Sequence, residues 1–324
     1  MPEAKDKVTA LWAGEPGETR AVQIASAASG QTILNAVLLG QRPGPGAITI
    51  GLVGRGIGAS LTPLMHEREG ARLGLDYTYH LIDFDRLGLD DADLPAVLAE
   101  ARALGFAGLN VTYPFKQVVL PLLDDLSPEA VAIGAVNTVV LGGARTIGHN
   151  TDCWGFAESF RQGLASVPRG RVLQLGSGGA GAAVSQALLQ CATERLDIFD
   201  TQPGKAEALA ARLRRLLGAR VEAVEDVAAV VGLADGVVNT TPMGMAKHPG
   251  TPIAATLLEA RHWVADVVYF PLETELIHLA RDRGCKVLPG GGMAVYQAVR
   301  AFELFSGVKP DAGAMTGTFL AAVG

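Results

Sequence analysis

The chain has 324 residues, of which 49% are apolar and 19% charged, with a net charge of −6. That length favours two domains over a single core, and the composition suits a soluble globular protein. The acidic balance argues against nucleic acid and anionic membranes as main partners.

Residues 1–46 open with Lys and acidic residues, pass through a weak apolar stretch (Ile33–Leu39) and end in Gln41-Arg42-Pro43-Gly44-Pro45-Gly46. The apolar run is too short and too late for a secretory signal. This segment reads as a poorly ordered extension or a misplaced start. Ala47–Val53 then reads as a buried strand by its β-branched content. It runs into Gly54-Arg55-Gly56-Ile57-Gly58-Ala59-Ser60-Leu61-Thr62-Pro63, with Pro63 suited to the first turn of a helix over Leu64–Leu73. Ser60 and Thr62 sit at that corner with hydroxyls able to donate, although either alone reads equally well as a helix cap.

Tyr77–Ile82 alternates as a strand, Leu94–Leu104 is an amphipathic helix, and Phe106–Val111 is a third strand. This is the βαβ order of a mainly parallel sheet. The third strand ends in Asn110-Val111-Thr112-Tyr113-Pro114-Phe115-Lys116. Pro114 stiffens the turn, and a rigid loop at a strand end is where sheet proteins present chemistry. Taken alone, Lys116 reads as a solvated edge residue. Pro121–Ile133 reads as a helix, and Ala135–Val140 with Ala144–Ile147 as a hairpin around Gly142-Gly143. Asn150-Thr151-Asp152 precedes a helix over Trp154–Leu164, which makes Asp152 a cap or first-turn acid.

A second pattern starts near Val167–Gly170. The strand Arg171–Leu175 enters Gly176-Ser177-Gly178-Gly179-Ala180-Gly181 and then the helix Ala182–Cys191. This is G-x-G-x-x-G in its strand–turn–helix setting, where glycines admit a pyrophosphate to the helix N-terminus. The next strand, Leu196–Phe199, ends in Asp200, near the roughly 20-residue offset of the acid that binds ribose hydroxyls. A carboxylate there accepts both hydroxyls of NAD and repels the 2′-phosphate of NADP, so NAD is expected and NADP is the lesser alternative. The Rossmann pattern continues through Val221–Val224, Gly236–Asn239, Trp263–Val268 and Lys286–Leu288. A helix from Gly290 to Phe305 and another over about Gly313–Ala321 close the chain, and such terminal helices commonly dock back on the first domain.

Cys153, Cys191 and Cys285 are odd in number and far apart, which suits a reducing cytoplasm rather than a disulfide framework. The six histidines show no metal-ligand spacing, so no metal is expected. There is no run of 18 uncharged apolar residues to suggest a membrane span.

The ordered motifs Ser60-Leu61-Thr62-Pro63, Asn110 to Lys116, Val136-Asn137-Thr138, Asn150-Thr151-Asp152, the glycine turn, Asn239–Met245, Asp266–Pro271 and Met293–Gln297 resemble those of the shikimate dehydrogenases. The resemblance is nearest to their NAD-dependent quinate/shikimate branch and covers about Ile48 to Phe319. It implies an α/β protein of two domains. Residues 47–152, with about 289–324 returning to them, would bind substrate, and residues 153–288 would form the Rossmann NAD domain.

By the same resemblance, Lys116 and Asp152 are the catalytic pair. Ser60 and Thr62 donate to the substrate carboxylate with Tyr269 nearby, while Asn110, Thr112, Asn137 and Gln297 hold ring hydroxyls. On the cofactor side stand Gly176, Ser177, Gly178, Gly179, Ala180, Gly181 and Asp200, with Thr240, Pro242, Met243, Val268, Gly290 and Met293. Lys116 serves as the base if burial lowers its pKa, with Asp152 fixing and polarising it.

Thr62 stands where biosynthetic shikimate enzymes usually have Ser, and Asp200 where they usually carry a basic NADP patch. Both departures point to quinate and shikimate oxidation with NAD. An NADP-dependent biosynthetic shikimate dehydrogenase and an aminoshikimate dehydrogenase are the enzymatic alternatives. A non-catalytic quinate or shikimate sensor is the alternative of another class, and the intact Lys/Asp pair argues against it. The expected partners are small molecules, with no nucleic acid or membrane, in a cytoplasmic monomer or homodimer.

Overall fold

A computed structural model describes residues 33–38 and 44–323. The rest of the expected N-terminal extension, residues 1–32 and 39–43, lies outside the described residues. The stretch Ile33–Val37 is helical, and Leu34 and Leu38 are buried in one core with Phe84, Leu94, Val97 and Leu98. Their four-residue spacing puts both leucines on one helix face. Glu100 accepts from the N–H groups of Ile33 (3.1 Å) and Leu34 (2.9 Å). This piece of the extension is therefore packed, contrary to the expectation of an unordered tail.

Two six-stranded sheets organise the described residues. The first has the order β2-β1-β3-β5-β6-β4, formed by β1 (Ile48–Gly54), β2 (Tyr77–Asp83), β3 (Gly108–Val111), β4 (Asp125–Leu126), β5 (Thr138–Val140) and β6 (Ile147–His149). It is parallel from β2 to β3 and antiparallel across β3-β5-β6. Pro121–Ile133 does not form the single helix its apolar residues suggested. Leu120–Leu122 is one 3₁₀ turn, β4 pairs with β6, and a helix begins only at Pro128. Ser127 resets the chain by accepting from Ala130 N–H as N-cap, with Pro128 just inside the helix.

The second sheet is parallel throughout, in the order β12-β11-β10-β7-β8-β9. Its strands are β7 (Arg171–Leu175), β8 (Arg195–Phe199), β9 (Arg220–Ala223), β10 (Gly236–Asn239), β11 (Trp263–Asp266) and β12 (Lys286–Leu288). Successive residues enter opposite cores. Val172 and Val238 lie in one with Phe160 and Trp263, whereas Leu173 and Val237 lie in the other with Leu276. Burial on both faces is why these strands read as continuous apolar runs. Strand order reverses between β7 and β10, so a crevice opens beyond their C-terminal ends, where ligands bind in such sheets.

The helices Thr151–Gly163 and Gly291–Ser306 tie the two sheets together. They cross closely: a Cβ on Gly155 would lie 2.7 Å from Gln297 N and 2.9 Å from Met293 O, so only glycine admits this approach. The last helix, Ala312–Val323, returns to the first sheet's helix Thr62–Arg72, burying Met315 and Phe319 against Met65. Among the described residues, no helix is long and apolar enough to cross a membrane.

Candidate active site

The loop after β3 is built around two anchors. Phe115 is fully buried against Phe84, ring centroids 4.5 Å apart, and the carbonyl of Lys116 accepts from Val136 N–H at 2.8 Å. With its main chain held on both sides, Lys116 extends into the cleft. Asp152 arrives from the first turn of the helix Thr151–Gly163, whose N-cap is Asn150 rather than Asp152. Asn150 accepts from Cys153 N–H and donates to Ala135 O. Capping by Asn150 leaves the Asp152 carboxylate for Lys116, and Nζ to Oδ2 is 2.6 Å with side-chain exposures of 23% and 9%. The pair is mostly out of water, where a hydrogen bond is electrostatically stronger.

Lys116 and Asp152 line a cavity of about 520 Å³ between the two sheets. The same cavity brings together Ser60, Thr62, Asn110, Thr112, Asn137, Tyr269 and Gln297 from the substrate set, and Ala180, Thr240, Pro242, Val268 and Met293 from the cofactor set. Gly176, Ser177, Gly178, Gly179, Gly181, Asp200, Met243 and Gly290 do not line it. Gly290 backs it instead, where a Cβ would strike Val268 O at 2.5 Å. Met243 keeps the loop after β10 in shape, its carbonyl accepting from Asn239 Nδ2 and its N–H donating to Thr241 Oγ1.

The corner carrying Ser60 and Thr62 hangs on Asp83 at the end of β2. Its carboxylate accepts from Gly56 N–H and Ile57 N–H at 3.1 and 3.0 Å. Arg55 locks the other side, with ion pairs to Asp85 and Asp91 at 2.7 Å. Thr62 N–H points to Ser60 Oγ at 3.4 Å, and both residues line the cavity. Asn110 and Asn137 are gripped from behind by Tyr79, Thr138 and Thr151. Desolvation in the cleft, with the negative Asp152 nearby, raises the Tyr269 phenol above its usual pKa.

The glycine turn follows β7 with Gly176 at φ +99, a left-handed conformation that only glycine takes easily. Gln174 ties the turn from below by donating to Gly176 O and Gly181 O, and it accepts from Ser185 Oγ. A Cβ on Gly178 would meet nothing within 4 Å, so the backbone is open to close approach at the helix N-terminus. A Cβ on Gly179 would stand 3.9 Å from Lys116 Cδ, which sets turn and lysine face to face across the cleft.

Asp200 lies beside the turn, its Oδ2 accepting from Ser177 N–H (2.8 Å) and Oγ–H (2.6 Å), and its Oδ1 from Gln202 N–H (2.9 Å). Partial burial pushes this carboxyl up. The bonds from Ser177 and Gln202, with Lys205 nearby, outweigh burial and hold it below the usual range. An open glycine edge next to an ionised carboxylate fits a dinucleotide whose ribose donates two hydroxyls. Further along the crevice, Asp266 accepts from Asn239 Nδ2, Val268 N–H and Thr274 Oγ. Burial raises its pKa to about 6 against those bonds.

Asp83, Tyr79, Thr138, Thr151 and Gln174 were not singled out as supports from sequence. Thr138 and Thr151 lie inside two of the ordered motifs, but their hydrogen bonds to Asn110 and Asn137, like those of Tyr79, Asp83 and Gln174 to their partners, exist only in the folded chain. No group of acidic, His and Cys residues suited to a metal occurs among the described residues.

Residues 52–139 match the shikimate dehydrogenase substrate binding domain, and residues 290–318 the shikimate 5′-dehydrogenase C-terminal domain. A shikimate dehydrogenase (NADP(+)) of Streptomyces avermitilis is 52% identical over 265 residues, covering 81% of this chain and 91% of that protein. A quinate/shikimate dehydrogenase (NAD(+)) of Corynebacterium efficiens is 46% identical over 280 residues, covering 85% and 98%. The structure of quinate dehydrogenase from Corynebacterium glutamicum in complex with NAD superposes with a TM-score of 0.81 at 45% identity, covering 85% of this chain and 99% of that one.

Proposed function

Because this chain belongs to the shikimate dehydrogenase family, we propose that it reversibly oxidises the ring hydroxyl of quinate and shikimate to the 3-dehydro acids with NAD. The observation that carries the reading is the Lys116–Asp152 pair in a cavity lined by neutral hydrogen-bonding groups, facing the glycine turn. A polyhydroxylated ring acid needs many neutral donors and acceptors together with one proton carrier at the carbon that is oxidised.

The Ser60 and Thr62 hydroxyls bind the substrate carboxylate with Tyr269 beside them. Asn110, Thr112, Asn137 and Gln297 hold the ring hydroxyls. Lys116 Nζ takes the proton of the reacting hydroxyl, and Asp152 stabilises the ammonium that forms. The open edge at Gly178, the N-terminus of the helix Gly179–Gln190 and Asp200 hold the dinucleotide, with Thr240, Pro242, Val268 and Met293 along the cavity wall. Bound NAD supplies the hydride acceptor. On the return step Lys116 gives the proton back to the carbonyl oxygen. The narrow, mostly buried setting of the pair keeps bulk water from competing for that proton.

A second reading, an NADP-dependent shikimate dehydrogenase, is favoured by the 52% identity to the Streptomyces avermitilis protein. The contacts of Asp200 favour NAD, because a 2′-phosphate there would meet a fixed negative charge. We place the enzyme in the cytoplasm as a monomer or homodimer acting on small molecules, in keeping with three buried free cysteines. Incubation with each acid and NAD, followed by mass analysis of the ring product, tests the reaction. The 3-dehydro acid formed in step with NADH is expected, and NADH-free or unchanged acid would overturn it.

A further inference from the structure

Asn110 and Asn137 line the cavity, yet most of the hydrogen-bonding capacity of their amides is already engaged within the protein. Asn110 Nδ2 donates one hydrogen to the Asn137 carbonyl (3.2 Å) and the other to Thr138 Oγ1 (3.0 Å). Asn110 Oδ1 accepts from the buried Tyr79 hydroxyl at 2.7 Å. The orientation of this amide is fixed, because turning it over would set its oxygen against the Asn137 carbonyl, which can only accept. Asn137 is fixed in the opposite sense. Its Oδ1 accepts from Thr151 N–H at 2.7 Å, a group that can only donate, and from Thr138 Oγ1 at 3.1 Å. One hydrogen of its Nδ2 goes to Thr151 Oγ1 at 3.0 Å.

What remains for a ligand is one lone pair on Asn110 and one N–H on Asn137. The geometry points to Tyr79, Thr138 and Thr151 as positioning residues that set a donor/acceptor code on the pocket wall. The ring substituent at Asn110 must carry a hydrogen to donate, and the one at Asn137 must carry a lone pair to accept. This rests on the reading of the cavity as a site for a polyhydroxylated ring acid. It narrows that reading: a hydroxyl or an amine is accepted at Asn110, while a substituent with lone pairs only is repelled there. A site built to pair a buried polar group rejects the analogue that leaves it unpaired far more strongly than an apolar pocket rejects a misfit.

The test uses the accepted acid and its analogues in which each non-reacting ring hydroxyl is replaced in turn by fluorine, which has lone pairs and no hydrogen. Both kcat/KM and the calorimetric Kd are read on the full chain. The code predicts one position where fluorine costs roughly 30-fold or more and another where it costs only a few-fold. Thr138→Val removes both the acceptor of one Asn110 hydrogen and a donor to Asn137 Oδ1, so both amides are held less firmly and the two penalties should draw together by roughly 5- to 20-fold, with KM for NAD unchanged. Thr138→Ser should restore the difference. Tyr79→Phe is the companion variant, expected to raise substrate KM with little change in KM for NAD. Equal fluorine penalties at every position, or a Thr138→Val variant that slows all analogues by one common factor, would overturn the code. If the parent acids bind without turnover, the proposed reaction fails while the code is still judged on Kd. If they neither bind nor react, both fall.

Discussion

Changing Lys116 to Ala and Asp152 to Asn, singly and together, asks whether the two side chains act as one unit. Their 2.6 Å contact is the hydrogen bond that defines the pair, and among the described residues the Asp152 carboxylate makes no other. Loss of a positioned proton carrier lowers kcat by roughly 10²- to 10⁴-fold, and Lys116→Ala should fall in that range. If Asp152 works through Lys116, Asp152→Asn costs most of the same factor and the double variant is no worse than the poorer single within roughly 3-fold. Two independent groups would instead multiply their losses.

Stability separates from catalysis in the same series. Lys116→Ala leaves a nearly buried carboxylate without a donor, at a cost of about 1–3 kcal/mol. For a chain of this size that is a drop in Tm of up to roughly 10 °C, too small to unfold the protein at assay temperature. Initial rates of NADH formation give kcat and both KM values, and thermal melts give Tm. Near-normal kcat in Lys116→Ala, or strictly multiplicative losses in the double variant, would refute the paired mechanism.

Three further outcomes follow from named contacts. Asp200→Ala removes the carboxylate held by Ser177 and Gln202, and should lower kcat/KM for NAD by roughly 10-fold or more while improving NADP; an unchanged ratio in cofactor kinetics would remove Asp200 from discrimination. Thr62→Val keeps shape but loses the hydroxyl in the cavity, so substrate KM should rise by roughly 10- to 100-fold with KM for NAD unaffected; equal effects on both substrates would place Thr62 elsewhere in the chemistry. His66 is fully buried, and burial lowers its pKa to about 3. Unfolding restores a value near 6.5. The neutral ring thus stabilises the fold fully above pH 6.5, and stability is lost as pH falls from 6.5 towards 3. By pH 4 the loss is about 3 kcal/mol. Melts of His66→Gln should show a smaller fall over that interval, and an equal fall would contradict the assignment.

Much of this was legible in the residues because it is local. Short apolar segments in βαβ order marked the strands of the second sheet, and the glycine turn with Asp200 follows from spacing along one βαβ unit. Lys116 could not be recognised from its neighbours alone. Its partner Asp152 lies 36 residues away, and only the folded helix Thr151–Gly163 brings the two together. Pro121–Ile133 misled because apolar content was read as a helix, whereas Ser127-Pro128 starts a new one and β4 finds its partner in β6. The packed Ile33–Val37 helix depends on Glu100, more than 60 residues on, to satisfy its first N–H groups. Tyr79, Asp83 and Gln174 stayed hidden for a like reason. A buried polar residue has no sequence signature until the group it satisfies is known.

The most direct test of the account is a set of four kcat/KM values on the purified chain, for quinate and shikimate each with NAD⁺ and NADP⁺. Turnover of one or both acids is expected with NAD⁺, with at least roughly tenfold lower kcat/KM with NADP⁺. Faster reduction of NADP⁺, or no turnover of either acid, would contradict it.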